Sequence, residues 1–216
     1  MAPRPALGPI LIRRHARQVE WEERRMTPRH LTPSSLPGDR PEVVLPRTAT
    51  GRDADLARFI GICAHAVLER WDFTRPRTKI CTVIEQACRR YVAQDHPHLM
   101  ACVTEDLTKL FENFLSSEPY KKLQRATVLG REVPFVMPLR EGQIMEGVID
   151  VIYRFDDRIW IADYKTDDVA AEDVQTRADR YRSQAECYSR AVSSALGLAS
   201  LSFQFVFLRP GVAVDV

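Results

Sequence analysis

Apolar residues recur at helical spacing soon after Gly51. Leu56, Phe59, Ile60, Cys63, Val67 and Leu68 fall on one stripe, which predicts a helix over Asp53–Trp71 with Asp53 or Asp55 placed to cap its start. The same period continues over Lys79–Gln94 and about Met100–Leu115, interrupted by Asp95-His96-Pro97. From Ala126 the texture changes. TVLGREVPFVMPL and QIMEGVIDVIYRF alternate as strands do, and IWIADYK follows after a short charged break. A long helical pattern, Val174–Leu196, leads to a last alternating run, LSFQFVFL, at 201–208. Helix, helical insert, three strands, helix and strand in that order describe an α/β architecture. It is a mixed sheet flanked by helices, with Val174–Leu196 as the crossover that returns a strand to the same sheet.

The first fifty residues lack such a period and hold eight of the fourteen prolines. Residues 1–50 are therefore expected to be a Pro/Arg-rich linker or arm, and 51–216 the folded domain. A short polar helix over Ala16–Arg25 is compatible with the pattern. This arm carries nine arginines against five acids, which leaves the rest slightly acidic within an overall charge of +2. Bulk charge thus neither announces nor excludes a nucleic-acid partner.

Composition adds a few limits. Apolar content of 45% and charged content of 28% suit a soluble globular protein. No run is long and apolar enough to span a bilayer, and MAPRPALGPILIRR lacks the order of a secretory signal. Five cysteines without a C-x-x-C pair point to reduced thiols and a cytoplasmic setting.

Within GVIDVIYRFDDRIWIADYKTD, residues 147–167, Asp150, Asp163 and Lys165 interrupt otherwise apolar runs. The runs flank Asp156-Asp157 and predict a β-hairpin. Asp-Asp is a poorer turn than Asn-Gly, so a somewhat longer loop at the same centre is also compatible. The register that pairs Phe155 with Arg158 sets Asp150 opposite Asp163, and Lys165 two residues on projects from the same face. Two anions so close in an apolar setting need a proton, a salt partner or a cation. Lys165 suits the second need and a divalent metal the third. A solvated Lys–Asp pair near a sheet end is the structural alternative.

Other positions admit two readings each. His65 shares a helical flank with Gly61 and Glu69; it is a half-buried histidine bonded to a carbonyl, or a ligand. Gly61, in mid-helix, costs about 1 kcal/mol against Ala, which a close approach of another backbone would explain. Glu132 opens the first strand as a surface residue or as a carboxylate near a metal. Gln184 and Tyr188 stand one turn apart, with Tyr181 a turn earlier and Arg177, Arg180 and Arg182 nearby. That helix is amphipathic with a solvated basic face, or it faces DNA.

Four elements, GICAHAVLE, GVIDVIY, IADYKTD and QAECY, occur in order on the predicted helix, strand, strand and helix. Together they resemble the PD-(D/E)XK nuclease superfamily, in its RecB/AddA-like branch, over about residues 51–210. LTPSSL is similar to the stretch preceding such domains in UvrD-like helicase–nucleases. The resemblance implies a restriction-endonuclease-like fold with a helical insert after the first core helix. It implies that His65, Asp150, Asp163 and the Tyr164 carbonyl bind a divalent metal, Mg²⁺ with Mn²⁺ as a substitute. Lys165 would be the catalytic lysine, and Gln184, Tyr188, Tyr181 and Glu132 would support the site or the DNA. Several relatives carry an iron–sulfur cluster on a C-terminal cysteine group; here the last cysteine is Cys187, inside a helix, so no cluster is expected. The chain also lacks a G-x-x-x-x-G-K-[ST] loop, so ATP hydrolysis by that route would belong to a helicase partner or to a longer protein. The implied activity is metal-dependent DNA hydrolysis, as an exonuclease in repair or recombination beside a helicase. The competing function is a catalytically silent DNA-binding or docking domain with the same fold.

Overall fold

A computed structural model of the chain describes residues 30–35, 51–139 and 143–216. The helix expected over Ala16–Arg25 lies outside them. A two-residue strand β1 (His30–Leu31) and a 3-10 turn (Pro33–Ser35) precede helix α1 (Gly51–Arg70). Helices α2 (Ile80–Tyr91), α3 (Met100–Ser116) and α4 (Glu118–Arg125) form the insert. Strands β2 (Thr127–Pro138), β3 (Ile144–Phe155) and β4 (Arg158–Lys165) follow, then α5 (Val174–Asp179), α6 (Arg182–Leu196), β5 (Ser202–Phe207) and β6 (Val212–Asp215).

The described strands form one mixed sheet. β2 runs antiparallel to β3, β3 to β4 and β5 to β6, whereas β4 and β5 are parallel across the α5–α6 crossover. β3 carries β4 along its second half only, from Val151 to Phe155. At its start, β1 pairs in parallel through His30–Ile144 and Leu31–Met145. The turn between β3 and β4 is the two-residue loop, Asp156 and Asp157 both having positive φ, as a type I′ turn requires.

Helices cover both faces of the sheet. On one side α1 to α4 pack over Val151, Tyr153, Ala162, Tyr164 and Val206, around fully buried Trp71, Phe111 and Phe114. On the other, α5 and α6 cover Ile152, Ile161, Phe203, Phe205 and Phe207. Each such large side chain contributes about 1.5–3 kcal/mol on leaving water.

Four features depart from the sequence pattern. The long Val174–Leu196 helix is broken at Arg180–Tyr181, where the N–H groups turn back to Arg177 O and Ala178 O. α4 is an additional helix; its charged surface hides a short apolar face, and the Ser117 hydroxyl accepts from the Tyr120 N–H to start it. β1 and β6 extend the sheet beyond the expected strands. Last, no backbone closes on Gly61: a Cβ there would meet only Thr166 Oγ1, at 3.6 Å. Gly61→Ala is therefore expected to stabilise the fold by about 0.5–1 kcal/mol, read as a higher urea midpoint at unchanged slope.

Gly147 is the position where close approach does require glycine. A Cβ would lie 2.9 Å from Phe135 Cε1 and 3.0 Å from Pro33 Cδ. Gly147→Ala is expected to cost about 1–3 kcal/mol in the same titration, because both neighbours are rings with little freedom to withdraw.

Candidate active site

The site lies where β4 parts from β3. Their last pair is Val151–Ala162. One residue further the ladder gives way to a side chain, and Asp150 Oδ2 accepts the Tyr164 N–H at 2.6 Å. Backbone groups of successive strand residues point to opposite edges. Lys165 O is bonded by Leu208 N beside β5, so the Tyr164 carbonyl faces the β3 side of the gap.

The two-residue alternation also slips here. Ile149 and Ile152 share the α5–α6 face, while Val151 and Tyr153 share the other. Opposite Asp150 in the β2–β3 register is Glu132, with φ of 46°, a left-handed backbone costing about 1–3 kcal/mol in a non-glycine residue. Strand irregularities of this kind re-aim side chains.

α1 brings His65 to the opening. Its Nδ1 lies 3.1 Å from Asp150 Oδ1 and 3.9 Å from Glu132 Oε1. The adjoining Arg131 holds the end of α1, donating to the carbonyls of Leu68 and Trp71. Burial opposes charge on His65. The charge and hydrogen bond of Asp150, the bond to Glu132 and the charge of Asp163 outweigh it, raising the pKa from 6.5 to about 10.

Asp163 and Lys165 reach the same cleft from β4. The cleft, of about 310 Å³, is lined among others by His65, Asp150, Asp163, Lys165 and Gln184. Lys165 Nζ sits 2.7 Å from Asp163 Oδ2 and donates to Gln184 Oε1 at 2.7 Å, 4.1 Å from the centre of the Tyr181 ring. Gln184 Nε2 in turn donates to Asp163 Oδ1 at 3.3 Å and to the Tyr188 hydroxyl at 3.0 Å. Burial pushes Asp163 up to about 6 even though Lys165 holds it down, and the nearby Asp150 charge adds to the rise.

The structure thus brings His65, Asp150, Asp163, Tyr164, Lys165 and Gln184 around one opening, with Glu132 against its histidine side. Gln184, Tyr188 and Tyr181 are largely buried, and all three line the cleft that holds Lys165. Arg177 is tied to Asp167 at 2.8 Å. Arg131 was not singled out by the sequence; a strand arginine next to Glu132 is its only trace there.

His65, Glu132 and Asp150 form a group able to hold a metal ion, their ligand atoms all within 4.8 Å of one another. Oxygen ligands of one divalent ion at about 2.0–2.6 Å lie within about twice that of each other, so the spacing fits. Asp163 lies outside that group, its Oδ2 facing the Lys165 ammonium at 2.7 Å.

The site thus joins a split in a mixed sheet, acids on two neighbouring strands and a lysine two residues past the second acid. The family model described as the PD-(D/E)XK nuclease superfamily matches residues 42–210, and the chain belongs to that superfamily. Among similar curated proteins is an ATP-dependent helicase/nuclease subunit from Acetivibrio thermocellus, 28% identical over 152 residues, which are 63% of this chain and 12% of that protein. Its namesake from Anoxybacillus flavithermus is 30% identical over 139 residues, 62% of this chain and 11% of that protein. The one from Lacticaseibacillus casei is 28% identical over 174 residues, 73% and 14% respectively. The chain spans about an eighth of the length of these relatives. Among the described residues, no helix is long and apolar enough to cross a membrane.

Proposed function

We propose that the chain is a metal-dependent deoxyribonuclease, an exonuclease working beside a UvrD-like helicase in cytoplasmic DNA repair or recombination. The observation that carries this reading is the convergence of His65, Asp150, Asp163 and Lys165 on one cleft. Family membership and the relatives' printed description, helicase/nuclease, support it.

His65, Glu132, Asp150 and Asp163 would hold the metal with the Tyr164 carbonyl, and their hard oxygen donors suit Mg²⁺, with Mn²⁺ accepting the imidazole more readily. When bound, the ion supplies Lewis acidity toward a phosphate oxygen and lowers the pKa of its water. Lys165 places a positive charge at the cleft, where it would counter the negative charge on the phosphate oxygens as water adds to phosphorus, one P–O ester bond breaks, and the water's protons pass to the leaving oxygen and to solvent. Gln184 keeps Lys165 and Asp163 in register by bonding both. Asp150 holds the strands apart and orients His65.

The test is incubation of linear and circular, single- and double-stranded DNA with Mg²⁺, Mn²⁺ or EDTA. Metal-dependent loss of linear DNA is expected. Retarded but uncut DNA in every metal would replace this reading by a silent binding domain.

A further inference from the structure

Three groups hold the Lys165 ammonium. Asp163 Oδ2 and Gln184 Oε1 each lie 2.7 Å from it, and the centre of the Tyr181 ring is 4.1 Å away. The last two of these trace back to one carboxylate that the proposed chemistry leaves unused. Asp167 follows Lys165 by two residues on the chain leaving β4. Its Oδ1 accepts the Tyr181 hydroxyl at 2.9 Å and faces Arg177 Nε at 2.8 Å. These two partners flank the break in the crossover: Arg177 belongs to α5, and Tyr181 immediately precedes α6. The Tyr181 carbonyl also accepts the N–H groups of Gln184 and Ala185, which starts α6. Asp167 thus grips the residue that supplies the ring and opens the helix carrying Gln184. Phe205 backs the same ring, with centroids 5.6 Å apart.

Resting on the nuclease reading above, we infer that Asp167 is a positioning residue for Lys165, acting through Tyr181 rather than on metal or DNA. Arg177 balances its charge, and both side chains are sheltered, at 15% and 14% exposure. Asp167 also lies outside the three-residue group able to hold an ion. A lysine stem is long and rotamer-rich, so its ammonium stays at one point only where several neighbours fix it. An aromatic face does this by cation–π attraction, provided the ring itself is held. With the tether cut, the ring and the start of α6 loosen together, and Asp163 is left as the one firm partner of Lys165. Reaction geometry is sensitive to such shifts: about 1 Å of misplacement costs up to about 10²-fold. An ion pair serving stability alone would leave Lys165 where it is.

The experiment measures kcat and KM on labelled single-stranded DNA in Mg²⁺, with the whole chain. Asp167→Ala is expected to lower kcat about tenfold, with KM within about twofold of the parent. Asp167→Asn keeps a carbonyl oxygen for Tyr181 and Arg177, and should stay within about threefold. In a Lys165→Met background, read with enzyme in excess, Asp167→Ala should cost less than about twofold, because the lysine it positions is gone. A tenfold loss there as well would overturn the inference, as would an unchanged kcat with Lys165 intact. Should Asp167→Ala fail to fold, Tyr181→Phe cuts the tether from the ring side, with an expected loss of about threefold that also vanishes in the Lys165→Met background. A crystal structure of the Asp167→Ala or Tyr181→Phe protein needs no activity. Lys165 Nζ is expected to leave the ring and Gln184, and finding it in place would overturn the inference. If the parent cuts no DNA, the nuclease reading falls, and that structure alone decides the role of Asp167.

Discussion

Asp163→Asn and Lys165→Met are each expected to lower DNA cleavage in Mg²⁺ by about 10³-fold or more, in the range lost when a group acting on developing charge is removed. Both side chains are well sheltered, at 5% and 14% exposure, and 2.7 Å apart. Removing either charge alone strands the other. For a fully buried pair that costs about 3–5 kcal/mol, and the access of Lys165 to the cleft reduces it to about 1–2 kcal/mol. The double variant Asp163→Asn/Lys165→Met removes both charges and is expected to regain most of that stability in urea while staying inactive. Cleavage by labelled-strand assay and unfolding by circular dichroism read the two quantities separately. Undiminished Mg²⁺-dependent cutting by pure Asp163→Asn would remove Asp163 from the site.

The second large effect falls on Asp150, whose two oxygens do different things. Oδ2 accepts the Tyr164 N–H at 2.6 Å, and Oδ1 faces His65 Nδ1 at 3.1 Å. Asp150→Ala leaves a buried N–H without an acceptor, and an expected loss of about 1.5–3 kcal/mol accompanies inactivation. Asp150→Asn still offers a carbonyl oxygen to Tyr164, so its urea midpoint should stay close to the parent's. Its weaker donor should nonetheless reduce Mn²⁺ affinity by about tenfold or more. Calorimetric titration of Mn²⁺ checks this, and an Asn variant binding the ion like the parent would free Asp150 of the ligand role.

Much of this site can be read from residue order because a hairpin with a short loop has few registers. Once Asp156-Asp157 forms the turn, the level of Asp150 and Asp163 on their strands follows, and so does the side from which Lys165 projects. The end of the ladder at Val151–Ala162 is another matter. It depends on Asp150 outcompeting the β3 backbone for Tyr164, a tertiary choice that no local pattern records. The left-handed backbone of Glu132 is hidden for the same reason, since glutamate in a strand carries no sign of positive φ. For α6, helical period placed Gln184, Tyr188 and Tyr181 on one flank but did not say whether that flank faced the sheet or the solvent. β1 and β6 are too short to show alternation, and the break at Arg180–Tyr181 carries neither Gly nor Pro.

The His30–Leu31 pairing bears on how the domain is handled. It occupies backbone groups at the start of β3 that β4 leaves bare. A preparation trimmed to Gly51 would present that rim uncovered, with Met145 newly accessible beside it, and unsatisfied strand edges invite pairing between molecules. Keeping residues 30–35 thus guards against edge-to-edge pairing as much as it completes the sheet.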